Sequence, residues 1–193
     1  MKYADDDYEL YTSADTGNEK YTNWFFFRGY NTRKAKKYKF TINNMSKSKS
    51  LFNSGGKILM YSQKKDKFYR SGEQIVFFCN FIRKKNNNNC YSMFFEIEFP
   101  EDCDTVYISL NYPYTYSRVN SLMTYLFTQT HNNLSIRRFS LTKTACNNDL
   151  EAMSIKVNSD KKKKAVIIGA RVHPAETISS HVMEKLLLML VDQ

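Results

Sequence analysis

The segment Ala170-Arg171-Val172-His173-Pro174-Ala175-Glu176-Thr177 carries the residues of this chain best suited to chemistry. His173 offers an imidazole nitrogen and Glu176 a carboxylate, both donor types that zinc accepts. Three positions apart, they reach one Zn2+ if His173 leaves the end of a strand and Glu176 opens a helix. The flanking residues suit that geometry. Ala165-Val166-Ile167-Ile168-Gly169-Ala170 is apolar on both faces, as strands inside a parallel or mixed sheet are. Ligands of open α/β sheets bind outside the carboxyl ends of such strands. Pro174 fits a first helical turn, and Glu176 near a helix N-terminus is favoured by the helix dipole. The same pair also reads as a loop histidine before an ordinary acidic helix start, and the residues alone leave both readings open. A catalytic zinc needs a third protein ligand and an open position for water. His181, five residues past Glu176, falls on another side of the helix and reads as structural or exposed. His131, beside Asn132-Asn133, reads as a loop residue.

The elements that must position this segment fall into two textures. Up to about residue 110 the chain reads as short strands. In Lys37–Ile42, Tyr38, Phe40 and Ile42 alternate with Lys37, Lys39 and Thr41, which puts the apolar side chains on one face of a sheet. Tyr91–Phe99 repeats the pattern, broken by Phe94. Further strands are expected at Tyr8–Thr12, Trp24–Arg28, Lys57–Ser62, Gln74–Asn80 and Thr105–Leu110. With turn signals at Ser54-Gly55-Gly56 and Ser71-Gly72, and 14 Phe and 14 Tyr, this region predicts an antiparallel β-sandwich over 1–110. The runs Lys84–Asn89 and Lys161–Lys164 read as solvated surface loops.

From about residue 111 strands alternate with helices. Ser117 is a plausible N-cap, followed by an apolar stripe of Val119, Leu122, Met123, Leu126 and Phe127. Strands are expected near Arg137–Leu141, at Met153–Val157 and at Ala165–Ala170, then a helix marked by Val182, Met183, Leu186, Leu187 and Leu190. This is the opening portion of an α/β layer with a mixed sheet over 111–193.

Composition bounds the class. Of 193 residues 42% are hydrophobic and 25% charged, values of a folded chain rather than a disordered tail. No apolar run approaches the ~20 residues of a membrane span. The amino terminus, with Asp5, Asp6 and Asp7, does not read as a secretory signal, so a soluble intracellular protein is expected. Cys79, Cys90, Cys103 and Cys146 lack zinc-finger spacing and are expected as reduced, buried thiols.

Several blocks carry a resemblance. Trp24-Phe25-Phe26-Phe27-Arg28, Tyr38–Ile42, Asn44-Met45, Ser50-Leu51-Phe52-Asn53, Gly56-Lys57 and Tyr61-Ser62 come first. Tyr69-Arg70-Ser71-Gly72, Phe95–Pro100, Asp104–Tyr107, Tyr112-Pro113-Tyr114-Thr115-Tyr116-Ser117 and Ala170–Thr177 follow. In this order they resemble the amino-terminal domain and the start of the catalytic domain of cytosolic carboxypeptidases, over nearly the whole chain. The resemblance implies a β-sandwich followed by the first part of a zinc metallocarboxypeptidase domain, with His173 and Glu176 as two of three zinc ligands. It implies a cytoplasmic enzyme that removes carboxyl-terminal or side-chain glutamates from acidic protein tails such as those of tubulin. The sequence departs from the family pattern at Ala175, where Gly is usual, and at Asn147 in Thr144-Ala145-Cys146-Asn147-Asn148, again in place of Gly. Asn tolerates the left-handed backbone that such a turn demands. The resemblance puts the third ligand (a His), the substrate-carboxylate Arg and the water-activating Glu beyond Gln193, so no catalytic residue is assigned and the chain reads as truncated.

The net charge of +10 suits an acidic partner. Arg28 to Lys67 holds twelve Lys and Arg against Asp66 alone. A cationic face that docks acidic tails without catalysis is therefore the alternative reading, and solvated lysines that protect strand edges are the plain one. Tyr38 and Phe40 point away from the neighbouring lysines, which argues against a nucleic-acid stacking platform. Neither a nucleic-acid nor a membrane partner is expected, and the residues do not set an oligomeric state. With two ligands only, the chain alone is expected to hydrolyse no peptide and to hold zinc weakly. Elemental analysis after dialysis against a chelator should find far less than one zinc per chain, and stoichiometric retained zinc contradicts this expectation.

Overall fold

Alternating apolar residues organise the first part of the molecule. The computed structural model describes residues 2–4, 6–18, 20–83, 87–129, 133–159 and 161–191. The chain divides into two compact units, Met1–Tyr112 and Pro113–Gln193. Among the described residues the first holds nine strands: β1 (Lys2–Ala4), β2 (Asp7–Leu10), β3 (Phe26–Tyr30), β4 (Lys37–Met45), β5 (Ile58–Ser62), β6 (Lys67–Ser71), β7 (Glu73–Arg83), β8 (Asn89–Glu98) and β9 (Thr105–Ser109). They form a five-stranded sheet, β1-β2-β4-β8-β7, and a four-stranded sheet, β3-β9-β5-β6.

The larger sheet is mixed where an antiparallel one was expected, because β2 runs parallel to β4. The physical reason is connection length. A tight hairpin forces antiparallel pairing, but the segment between β2 and β4 includes β3 and is long enough for a crossover. β1 and β6, which lack a clear alternation, were not expected.

Both sheets feed one core. Tyr38, Phe40 and Ile42 of β4 and Met93, Phe95 and Ile97 of β8 meet Ile58 and Met60 of β5 and Val106 and Ile108 of β9. Phe40 is its hinge, with ring centroids 5.4 Å from Phe95, 5.5 Å from Phe27 and 5.3 Å from Tyr8. Phe94, the interruption in the β8 alternation, is half-buried on the opposite face, between Thr41 and Val76 in register. Ser54-Gly55-Gly56 closes a short 3-10 turn, Leu51–Ser54, with Gly55 at φ 85°. A Cβ on Gly56 would sit 2.9 Å from the Leu51 carbonyl oxygen, so that position excludes a side chain.

One buried carboxylate ties β5 to β9. Asp104 is 1% exposed and accepts from Ser62 Oγ at 2.5 Å, Lys64 N at 3.0 Å and Thr105 N at 2.7 Å. These charge-assisted bonds offset the desolvation of the carboxylate.

The second unit contains α1 (Tyr116–Thr128), β10 (Leu134–Lys143), β11 (Asp149–Val157) and α2 (Thr177–Val191). Thr115, rather than Ser117, caps α1, its Oγ1 accepting from Arg118 N at 3.2 Å. Ser117 lies inside the first turn, where its hydroxyl cannot take the capping place. Met123 and Leu126 of the stripe are buried and Phe127 is exposed. β10 and β11 form an antiparallel hairpin. Its turn places Asn147 at φ 59°, with Asn147 N donating to Thr144 O at 2.8 Å, so the left-handed conformation is kept without glycine. Arg138 on β10 grips Glu151 through Nε at 2.9 Å and Nη2 at 2.6 Å, and donates to Thr124 and Asn120 of α1.

The expected strand at Ala165–Ala170 is a correction. These residues join no ladder, and Val166, Ile167 and Ile168 are 80%, 98% and 54% exposed. An apolar run supplies the side chains of a buried strand but not the neighbouring backbone that completes it. β10 and β11 pair with each other, and among the described residues no strand is bonded to 165–170. The sheet of this unit is thus a two-stranded antiparallel one instead of the mixed sheet expected. Of the four cysteines only Cys90 is buried; Cys79, Cys103 and Cys146 are exposed, contrary to expectation. No described helix is long and apolar enough to cross a membrane.

Asp104→Ala should lower the unfolding free energy by about 2–4 kcal/mol, because three donors lose their acceptor inside the fold. Urea unfolding followed at Trp24 measures this, and Asp104→Asn, which keeps one acceptor oxygen, should lose less.

Candidate functional site

The loop before α2 brings His173 and Glu176 into one turn. Glu176 N donates to His173 O at 3.0 Å, and Ser179 N donates to Glu176 O at 3.3 Å. Thr177, 1% exposed, starts the helix. Glu176 therefore stands at the helix boundary rather than within the first turn. His173 leaves an irregular segment, not a strand end, for the reason given above.

Arg171 shapes the loop. It adopts φ 55°, a left-handed backbone uncommon for a long side chain. Its backbone N donates to Ser179 Oγ at 2.9 Å, and its guanidinium donates to Pro174 O at 3.1 Å and Tyr114 O at 2.6 Å. Burial pulls the Arg171 guanidinium below its ordinary pKa. The side chains of His173 and Glu176 remain exposed.

The donor chemistry suits zinc, an imidazole and a carboxylate three residues apart. It is an incomplete set. Among the described residues no three His, Cys, Asp or Glu side chains gather into a group that could hold a metal ion. No reaction step is therefore derived through a metal in this chain. His181 meets Tyr114 edge-on at 4.8 Å and so packs within the unit. His131 lies outside the described residues.

Beside the loop lies an ionic cluster that sequence reasoning missed. Arg118 of α1 donates through Nε and Nη2 to the two carboxylate oxygens of Glu184 on α2, both at 2.9 Å. Its guanidinium lies 4.9 Å from the centre of the Tyr114 ring. Burial first, and then the hydrogen bond with Glu184, push the Tyr114 hydroxyl up to about 12. The hydrogen bond from Arg118 holds the Glu184 carboxyl below its ordinary value. Sequence spacing signals Tyr114 and Arg118 as neighbours, but nothing local points to Glu184, 66 positions from Arg118.

In the first unit the lysines of β4 lie on the exposed face and are partly neutralised. Lys37 pairs with Glu73 at 3.4 Å and Glu98 at 3.9 Å, and Lys39 with Glu96 at 4.0 Å. The cationic stretch thus carries its own cross-strand carboxylates.

Comparison with known proteins decides the kinship. The chain is 35% identical over 192 residues to cytosolic carboxypeptidase 3 of Mus musculus, an alignment covering 95% of the chain and 19% of that protein. It is 36% identical over 197 residues to cytosolic carboxypeptidase 2 of Homo sapiens, covering 92% of the chain and 21% of that protein. It is homologous to the cytosolic carboxypeptidases. The chain spans about a fifth of the length of these carboxypeptidases. No family model matches it. Its fold is that of a metallo-carboxypeptidase from Pseudomonas aeruginosa, solved in complex with (2-guanidinoethylmercapto)succinic acid, at TM-score 0.69 and 17% identity. That match covers 98% of this chain and 45% of the other. A metallo-carboxypeptidase from Burkholderia cenocepacia agrees at TM-score 0.69 over 95% of this chain and 43% of its own.

The Arg118–Glu184 pair makes α2 sensitive to pH. Because the folded-state value of Glu184 is lowered, its contribution is complete above the ordinary carboxylate value of 4.5 and is lost as pH falls through the lowered value. Amide exchange in α2, corrected for intrinsic rates, should therefore accelerate below that pH. In Glu184→Gln it should already be faster at neutral pH, without the acid dependence.

Proposed function

We propose that this chain is part of a zinc-dependent metallocarboxypeptidase of the cytosolic type, supplying two zinc ligands, His173 and Glu176. The observation that carries the reading is the homology to cytosolic carboxypeptidases across at least 92% of the chain, a span that includes the His173–Glu176 turn. The two sheets of the first unit, which share one core, make a β-sandwich ahead of the catalytic domain. The substrate class is a protein tail ending in or branched with glutamates, tubulin tails among them. The setting is the cytoplasm. The excess of Lys and Arg over Asp and Glu, 29 against 19, supports an acidic substrate.

Zinc, when bound, polarises the scissile carbonyl and lowers the pKa of its water. This chain's part is to present donors. The Arg171 guanidinium, holding Pro174 O and Tyr114 O, fixes the path of the loop between them. The peptide N–H of Glu176 closes the turn on His173 O, so both donors leave one short, braced segment. A positioned loop of this kind reduces the entropy lost when a metal is gripped.

Titration with zinc, read by competition with a chromophoric chelator, tests the assignment. Weak binding that disappears in His173→Ala and in Glu176→Gln, with circular dichroism unchanged, is the expected result. Zinc binding of equal strength in both variants would remove His173 and Glu176 from the reading.

A further inference from the structure

The four strands β3, β9, β5 and β6 contain no aspartate or glutamate, while Arg28, Lys67 and Arg70 lie on them. This sets the smaller sheet apart from the larger one, where Lys37 and Lys39 meet cross-strand carboxylates. Because Phe27, Ile58, Met60, Tyr69, Val106 and Ile108 turn inward to the core, the alternate residues point outward. Register then aligns Arg28, Tyr107, Tyr61 and Phe68 in one row across the outer face. Arg70, opposite Leu59, belongs to the neighbouring row.

An unbroken chain of aromatic rings crosses this face. Ring centroids lie 5.7 Å apart for Phe26 and Tyr107, 6.2 Å for Tyr107 and Tyr61, and 4.9 Å for Tyr61 and Phe68. Tyr112, just past β9, continues it at 4.9 Å from Phe68. Phe26, Phe68 and Tyr112 are 47%, 39% and 38% exposed, and Tyr61 and Tyr107 are half-buried. Leu59 and Ser109 are buried, so the open ground is the ring chain and its two ends. Part-exposed Phe and Tyr beside arginine have the composition of an interface core. The arginines stand on the two edge strands, Arg28 on β3 and Arg70 on β6. Among the described residues neither pairs with a carboxylate; Arg70 donates to Lys57 O at 2.8 Å and lies 6.0 Å from the Tyr112 ring centre. Asp66, in the turn between β5 and β6, already accepts the Tyr61 hydroxyl at 2.5 Å and is flanked by Lys65 and Lys67.

We infer that this face docks an extended acidic peptide that carries an apolar side chain between two carboxylates. Three strand spacings of about 4.8 Å and a two-residue offset along the strands put the Cα atoms of Arg28 and Arg70 about 16 Å apart. An extended chain covers that distance in about five residues. A carboxylate at each end meets a guanidinium, and the side chain between them covers Tyr107, Tyr61 and Phe68. A single-stranded nucleic acid fits less well. Successive rings from Tyr107 to Tyr112 are tilted to one another by 53°, 51° and 60°, so they offer no row of parallel faces to bases. Two guanidiniums also neutralise few phosphates. The assignment does not depend on His173 or Glu176.

Fluorescence anisotropy of a labelled Gly/Ser decapeptide, with two glutamates about five positions apart and a phenylalanine midway, reads the binding. The wild-type chain should bind with Kd on the order of 100 µM, and more weakly at high salt. Arg28→Glu and Arg70→Glu should each raise Kd about tenfold. A peptide with lysine in place of one glutamate should bind Arg28→Glu about threefold better than it binds wild type, because the exchanged charges match again. Replacing the peptide's phenylalanine by glycine should weaken binding about fivefold. His173→Ala and Glu176→Gln should bind as wild type does. Trp24 fluorescence and urea midpoints confirm that each variant is folded. Absence of binding at about 1 mM wild-type chain overturns the proposal, and so does a Kd that neither arginine variant moves. Loss of binding in His173→Ala places the peptide elsewhere and overturns it too. Tighter binding of a short oligouridine than of the peptide is likewise a refutation.

Discussion

The burial of alternate residues on β4 and β8 is the constraint on which the first unit rests. Tyr38, Phe40 and Ile42 meet Met93, Phe95 and Ile97 on one face, and their neighbours Lys37, Lys39, Glu96 and Glu98 are turned to the other. A slip of one residue would exchange these sets and bury the charges. The register therefore settles at once which side chains form the core and where the lysines meet their carboxylates. β5 and β9 close over the same residues, with Asp104 as the polar tie between them.

The second unit is held by different means. Within its hairpin Arg138 grips Glu151 and also donates to Thr124 and Asn120 of α1, and Arg118 of α1 grips Glu184 of α2. Both are forked guanidinium–carboxylate pairs, which fix orientation as well as distance. The apolar segment 165–168 gains nothing from this arrangement and lies exposed. The turn bearing His173 and Glu176 follows it, and its shape comes from Arg171 rather than from a strand.

Much of the fold was legible because period-two patterns report the face a residue occupies. Lys37–Ile42, Lys57–Ser62 and Thr105–Leu110 appear as strands within a few residues of their expected bounds. β1 and β6 were not legible, since their pairing comes from neighbours and not from their own alternation. The parallel course of β2 was hidden for a related reason: the direction of a pairing depends on the route of the chain between strands. Ala165–Ala170 shows the converse, a strong local pattern with no ladder to join. At the site, His173 and Glu176 were visible through donor type and spacing. The bonds of Arg171 to Tyr114 and of Arg118 to Glu184 were not, because they join distant positions.

From its residues alone, this chain specified its alternating core, its two textures and the His173–Glu176 pair, whose donor types and spacing suit a metal. These depend on side-chain chemistry and local period, which a linear sequence displays directly. Folding in three dimensions settled the direction of β2, the cross-strand neutralisation of Lys37 and Lys39, and the ionic clusters of the helices. It also left β7 with an open edge and residues 165–168 without a ladder. Each of these depends on which distant backbone arrives alongside, and hydrogen bonds and ion pairs form only where that partner is present.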